Sequence, residues 1–401
     1  MINIPHRFAR CRRAIIVSLG LVAFSATALA EQPDSKWFRY DPVVETAWKI
    51  SGDPVKSMQF RAQRKSQVAA PSRRVLVLYP RPSSAYDIAI TKILQVFEAK
   101  DFNAEFTVVN FAMDDARGRE AVQFAEKNKF ELIFAMGSES TAWLFEHYRG
   151  GAIPVVSVCS KDPVQLNQMT NYESGSGSNF AFTSLNVPVD VQMAYVKELR
   201  PELKNITVLV DSKNVSAVQT QAEPIAAYAR QRGIQFIWGA VQNPARAREE
   251  LAVIVRDAVN TMRKSDPDLT KSIFWLTGST SIFLEMRTIN ENSDRVPVIS
   301  VVPDLVKAGP ETAVLAIGVS FESNAHLAAI YGIDILSGRV KAGNLKVGVV
   351  SPPDIAISFL KSREIGLRIP FKFFETASFV YDYDGNPVRT SASKVQLEKD
   401  N

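Results

Sequence analysis

The sequence predicts an α/β protein of two similar lobes, each a parallel sheet with helices on both faces. Three observations predict it. Short apolar runs such as Val75-Leu76-Val77-Leu78-Tyr79 read as strands covered on both sides. Apolar residues at one-face helical spacing, such as Ile90, Ile93, Leu94 and Phe97, follow them. The same order runs twice, before and after the polar stretch Ser174-Gly175-Ser176-Gly177-Ser178, and alternation of this kind forces parallel strands with crossover helices.

Each element has its own reason. In the first set, the strand Phe106 to Phe111 is followed by a helix carrying Ala121, Phe124 and Ala125. Strand Leu132 to Met136 precedes a short helix from Glu139, and strand Ile153 to Cys159 closes the set. The Ser/Gly stretch 174–178 reads as a flexible linker. In the second set, Val191, Ala194, Tyr195 and Leu199 share a helix face before strand Ile206 to Val210. Ala222, Ile225, Ala226 and Ala229 mark a helix ending at Gly233, which suits the left-handed C-terminal turn. Strand Ile234 to Trp238 and a helix with Leu251, Ile254, Val255, Ala258 and Met262 follow. Strands Ile273 to Leu276, Val296 to Val302 and Ala313 to Val319 come last.

The ends read differently. Arg7, Arg10, Arg12 and Arg13 precede an apolar run from Ala14 to Phe24, then small residues ending in Ala28-Leu29-Ala30. A basic start, a short apolar core and an A-x-A end predict an export leader over residues 1–30, cleaved before Glu31. Cys11 lies ahead of the apolar core, so a lipid-anchoring cysteine is not indicated. The whole chain has 47 Lys+Arg against 42 Asp+Glu, and the leader holds four arginines and no acid, leaving 43 against 42, or +1. That balance offers no nucleic-acid footprint. Cys159 is then the one remaining thiol, so stability must come from a hydrophobic core rather than disulfides. Residues 31–72 mix Trp37, Phe38, Tyr40 and Trp48 with Arg61, Arg64 and Lys65 and show no period. They read as an extension that packs some aromatics on the body. Near the other end, Phe379-Val380-Tyr381 and Pro387-Val388 flank Asp384-Gly385, a hairpin signal.

Several passages resemble a family of ABC-transporter substrate-binding proteins. Ala194 to Asp211 (AYVKELRPELKNITVLVD) is similar to its helix-to-strand passage, and Gly233-Ile234-Gln235-Phe236 to its next strand entry. Ser160-Lys161-Asp162-Pro163-Val164 resembles its SDPV turn. Ile335-Leu336-Ser337-Gly338 and Ile355 to Pro370 resemble later segments, so the likeness runs from about Arg73 to Pro370. The resemblance implies the type I periplasmic-binding-protein fold, two lobes joined by three crossovers about a hinge. With it the chain divides into leader 1–30, extension 31–72, lobe I 73–185 with a return segment 320–345, lobe II 186–319 with a return segment 346–372, and tail 373–401. The implied activity is capture of a small solute, often an amino acid or related metabolite, in the periplasm for a membrane permease. No cofactor, metal or nucleic acid is implied, and a monomer is expected.

In open parallel sheets ligands collect beyond the carboxyl ends of the strands. Six loops qualify: Arg81 to Tyr86, Gly137 to Thr141, Ser160 to Asp162, Asp211 to Asn214, Thr277 to Thr280, and Pro303-Asp304. Their hydroxyls, amides and acids give the candidate ligand contacts Ser83, Ser84, Tyr86, Ser138, Ser140, Thr141, Asp162, Asp211, Asn214, Thr277, Ser279 and Asp304. Hydroxyls and free N–H groups at helix starts suit an oxyanion, although the same residue types serve as N-caps. Where the family pattern has an acid-amide pair after the fifth strand, this chain has Gly278-Ser279, which removes a carboxylate that would hold an ammonium group.

Catalytic signatures are missing. There is no H-E-x-x-H, paired-cysteine site, G-x-S-x-G elbow, P-loop or dinucleotide fingerprint, and after the leader only His147 and His326 remain. The sequence therefore favours a solute-binding protein serving an ABC permease. A sensor presenting the solute to a receptor or histidine kinase comes second, and an exported hydrolase or isomerase third.

Overall fold

The protein is described by a computed structural model covering residues 37–52, 58–66 and 70–390. The leader, its cleavage site and the end of the tail lie outside the described residues.

Lobe I begins with β1 (Trp48–Gly52) and β2 (Gln59–Arg64), then β3 (Arg73–Tyr79), α1 (Ser84–Ala99), β4 (Ala104–Asn110) and α2 (Asp115–Lys127). It continues through β5 (Leu132–Met136), α3 (Gly137–His147), β6 (Val155–Val158) and β7 (Phe180–Ala181). These strands form one sheet in the order β1-β2-β4-β3-β5-β6-β7, with β4 through β7 all parallel. Every residue of β5 is buried, as a strand covered on both faces requires.

Lobe II runs from β8 (Thr183–Ser184) and α4 (Val189–Leu199) into β9 (Asn205–Asp211). Next come α5 (Val215–Ala217), a π-helical turn Val218–Ala222, α6 (Glu223–Gln231), β10 (Gln235–Val241) and α7 (Ala247–Met262). Then follow β11 (Ser272–Leu276), α8 (Thr280–Phe283), α9 (Met286–Asn292), β12 (Val298–Ser300) and β13 (Leu315–Gly318). The chain returns through α10 (Phe321–Leu336) and β14 (Gly348–Val349). It ends in β15 (Asp354–Ser358), α11 (Phe359–Glu364), α12 (Phe371–Thr376), β16 (Phe379–Tyr381) and β17 (Pro387–Arg389). The second sheet has the order β10-β9-β11-β12-β13-β15-β16-β17, parallel from β10 to β13 and antiparallel between β13 and β15.

The chain passes between the sheets three times: after β8, after β13 and after β14. β8 and β14 pair in parallel at that crossing. Helix α10 leaves β13 of one sheet and packs against α1, β5 and β6 of the other. Gly332 makes this packing possible, because a Cβ there would stand 2.6 Å from the Phe134 ring. The first turn of α10 is held by two acids of lobe II. Asp354 accepts the Ser320 N–H at 3.1 Å, and Asp304 accepts the Phe321 N–H at 3.1 Å.

Three expectations change. The extension is not irregular: β1 and β2 pair antiparallel, and β2 extends the lobe I sheet by pairing with β4. Their period is masked in sequence because the buried side is set by β4 and by aromatic packing. Trp48 meets Phe106 edge-on at 5.4 Å, and Phe38 stacks on Phe60 at 4.7 Å. Second, the stretch 174–178 is closely packed rather than a free linker. The Gly177 N–H donates to the Gly343 carbonyl at 3.0 Å, and a Cβ on Gly175 would stand 2.0 Å from that same oxygen. Gly175 permits backbone-to-backbone approach, and Gly177 supplies a left-handed backbone turn at φ +64°. Third, the helix read from Ala222 starts about two turns earlier, at Val215, by way of the π turn. The hairpin signalled by Asp384-Gly385 forms as β16 and β17, at the edge of the second sheet.

Candidate functional site

The carboxyl ends of the two parallel sheets face one another across a cleft whose empty space, open mouth included, is about 590 Å³. Lobe I contributes the loops after β3, β5 and β6, and lobe II those after β9, β11 and β12. Val319 and Phe321, from the crossing into α10, line the cleft between them.

On the lobe I wall, Tyr86 sits in the first turn of α1 and packs edge-on against Tyr79 at 5.4 Å. Its hydroxyl lies over Gly137: a Cβ there would come within 2.0 Å of that oxygen, and φ is +74°. Space and backbone conformation both therefore demand glycine at the start of α3. The Ser138 hydroxyl accepts the Lys161 N–H at 2.9 Å, tying the β6 loop to the β5 loop. Arg81 Nε donates to Glu139 Oε2 at 2.7 Å.

Lys161 is the unusual member. It is 8% exposed, and its ammonium has no hydrogen-bond or ion-pair partner among the described residues. Its stem reaches lobe II, with Cε 3.6 Å from where a Cβ on Gly278 would stand. Burial pushes its pKa down to about 8. Nearby Glu139 and Cys159 pull it back up, and Arg81 pushes it further down.

The lobe II wall is neutral. Asn214 Oδ1 accepts the Ala217 N–H at 3.2 Å and the Ser216 hydroxyl at 2.9 Å, and its amide donates to Ser279 Oγ at 3.1 Å. The Gly278 N–H donates to Gln221 Oε1 at 2.6 Å. Gln221 reaches it from the π turn, a distortion often found at functional sites. The neighbouring Thr220 carbonyl accepts the Asn186 side-chain amide at 2.8 Å. Phe283, Val301 and Val302 add apolar surface.

Of the sequence-chosen residues, Ser83, Tyr86, Ser138 and Asn214 line the cleft, although Ser83 also caps α1 through the Ala85 N–H. The others are placed elsewhere. Ser84 is exposed. Buried Ser140 donates to the Leu78 carbonyl at 3.0 Å and braces α3 against the sheet, while Thr141 donates to the Gly137 carbonyl at 2.8 Å within its own helix. Asp162 closes its own turn by accepting the N–H groups of Val164 and Gln165, and it also accepts the Tyr172 hydroxyl. Asp211 accepts the Lys213 N–H at 2.9 Å and the Ser281 hydroxyl at 2.7 Å. Thr277 donates to the Leu209 carbonyl at 3.1 Å, Ser279 lies behind Asn214, and Asp304 caps α10. Capping and turn closure claim the three aspartates because a helix or turn start leaves N–H donors that a short acidic side chain satisfies, whereas the Ser140, Thr141 and Thr277 hydroxyls are taken by backbone carbonyls. It follows that Ser140→Ala/Thr141→Ala should lower the melting temperature and leave ligand affinity within about twofold, read by calorimetry and thermal melts on one preparation.

Arg81, Glu139, Lys161, Ser216, Gln221 and Phe283 line the cleft without having been singled out. A search for hydroxyls and amides passes over charged members of the same loops. The available signal was Lys161 itself, a cation three residues past the all-buried strand Val155–Val158.

The comparisons with known proteins agree with this architecture. The family model described as ABC transporter substrate binding protein matches residues 89–378. A tyrosine-binding protein of Clostridioides difficile is 21% identical over 231 residues, spanning 58% of this chain and 61% of its own length. A conserved domain protein of Vibrio cholerae superposes with a TM-score of 0.62 at 18% identity, covering 77% of this chain and all of that one. An ABC domain from Streptococcus pneumoniae in complex with L-Trp also gives 0.62, at 17% identity and the same coverage. With the family match spanning both lobes and the fold shared with these structures, the chain belongs to the family of ABC transporter substrate-binding proteins.

Proposed function

We propose that the protein captures a small carboxylate-bearing solute (an amino acid, a carboxylate or a related metabolite) between its lobes and delivers it to an ABC permease. In this reading it works as an exported, periplasmic monomer that binds without catalysis. The observation that carries the proposal is Lys161, a residue only 8% exposed whose ammonium has no hydrogen-bond or ion-pair partner among the described residues and whose stem spans from lobe I toward Gly278 in lobe II. A ligand carboxylate there would satisfy a charge that the fold otherwise holds at a cost. Contacts to both lobes would favour a closed arrangement over an open one, and the closed form is what a permease can distinguish. The names of the tyrosine-binding relative and the L-Trp complex support a carboxylate-bearing ligand. A thermal-shift panel of L-amino acids, small carboxylates and nucleosides should reveal a stabilising carboxylate. Small-angle scattering with that compound should then show a smaller radius of gyration. An unchanged profile at saturation would remove the closure mechanism.

A further inference from the structure

We propose that the ligand carboxylate sits in a cradle over Gly278, between the Lys161 ammonium of lobe I and the Gln221 side-chain amide of lobe II. The inference rests on the solute-capture reading above and deepens it by naming a second donor. Its starting point is the missing side chain at position 278. A Cβ there would stand 3.3 Å from Gln221 Oε1, 3.4 Å from Gln221 Nε2 and 3.6 Å from Lys161 Cε. Glycine therefore leaves open a spot that groups from both lobes border.

Gln221 is oriented by its own hydrogen bond. It is 6% exposed and lines the cleft, and the Gly278 N–H donates to its side chain at 2.6 Å. A backbone N–H can only donate, so the amide oxygen must occupy that place. The amide nitrogen is left with two N–H donors and no hydrogen-bond partner among the described residues. The π turn that carries Gln221 is itself held on two sides. Thr220 Oγ1 donates to the Ser216 carbonyl at 2.7 Å, and the Thr220 carbonyl accepts the Asn186 amide at 2.8 Å.

Lys161 brings its charge to the same opening from lobe I. Two donor groups without acceptors, one of them cationic, suit a group with two acceptor oxygens and one negative charge. One carboxylate oxygen would take the ammonium and the other the amide N–H. The carboxylate then ties the lobes together, and an open arrangement gives up one of the two contacts. The rest of the ligand, an ammonium group included, still has Glu139 and the lining hydroxyls Ser83, Ser138 and Ser216 within the cleft.

Four carboxylates test this by titration calorimetry: L-tyrosine, L-tryptophan, L-leucine and 3-phenylpropionate, each beside its primary amide. The wild type should bind at least one of them, about tenfold or more tightly than the matching amide. Gln221→Glu keeps an acceptor for the Gly278 N–H but replaces the amide donor with a negative oxygen. Carboxylate affinity should fall by about tenfold or more, and the advantage over the amide should shrink. The melting temperature of the ligand-free protein should hold or rise, because the new acid can pair with Lys161. A purely structural role for Gln221 predicts wild-type affinity in this variant, and that result overturns the inference while leaving solute capture standing. Gly278→Ala is the second variant. Its φ lies outside the left-handed region and its Cβ meets no atom closer than 3.3 Å, so the fold accommodates it. It fills the opening, and carboxylate affinity should drop by about fivefold or more. Wild-type binding there also overturns the inference. An amide bound as tightly as its acid, or no binding of any of the four carboxylates, removes both the inference and the carboxylate-capture reading.

Discussion

Replacing Lys161 with Met is expected to weaken carboxylate binding by roughly 100-fold or more while raising the melting temperature of the ligand-free protein. The two effects have one cause. In the folded chain Lys161 is 8% exposed, its ammonium has no hydrogen-bond or ion-pair partner among the described residues, and burial lowers its pKa from 10.5 to about 8. Between those values the unfolded chain holds more protons than the folded one, so the stability of the ligand-free protein rises with pH across that window. Below about pH 8 the whole burial cost is present, of the order of 3 kcal/mol by the size of the shift. Met keeps the stem and removes that cost. It also removes the counter-ion for the ligand, and truncating one side of a buried charge pair costs about 2–5 kcal/mol of affinity. Lys161→Arg should restore part of the binding, whereas Met should not. Affinity in the wild type should decline above pH 8 by up to about tenfold per pH unit, since the neutral amine no longer attracts the anion. A Met variant that binds as well as the wild type would take Lys161 out of the site.

Gly318→Ala is expected to destabilise the protein by about 3 kcal/mol or more, read as a lower denaturant midpoint. Gly318 ends β13, where the chain turns toward α10 and the other lobe. A Cβ there would stand 1.7 Å from the carbonyl oxygen of Val301 and 2.6 Å from its carbon. The obstacle is backbone, so no rotamer change relieves it, and overpacking of this kind costs about 1–3 kcal/mol even where side chains can adjust. Val301 and Val319 both line the cleft, so the displacement should also weaken ligand binding. An Ala variant with an unchanged midpoint would mean that β12 and β13 separate readily at this point. Gly233→Ala serves as the comparison. That glycine has φ +64° and open space around it, so only the backbone term of about 1 kcal/mol applies.

The sequence by itself determined the two-lobed α/β plan, because strands covered on both faces and one-sided helices leave a local periodic trace. Leu132 to Met136 and the Ile90-Ile93-Leu94-Phe97 stripe are buried as their spacing requires. It also located the loops that line the cleft, since parallel topology places them at the carboxyl ends of strands. Tertiary structure alone decided which residues within those loops line the cleft. Ser140 and Lys161 are both polar residues just beyond buried strands, yet one hydroxyl finds the Leu78 carbonyl and the other side chain finds no hydrogen-bond or ion-pair partner among the described residues. That difference depends on a strand 62 residues away in one case and on the approach of Gly278 from the opposite lobe in the other. The strands of the extension follow the same logic: β1 and β2 acquire a buried face only once β4 lies beside them. Hydrogen-bond satisfaction and charge compensation are settled by neighbours distant in sequence, so they leave no local period to read.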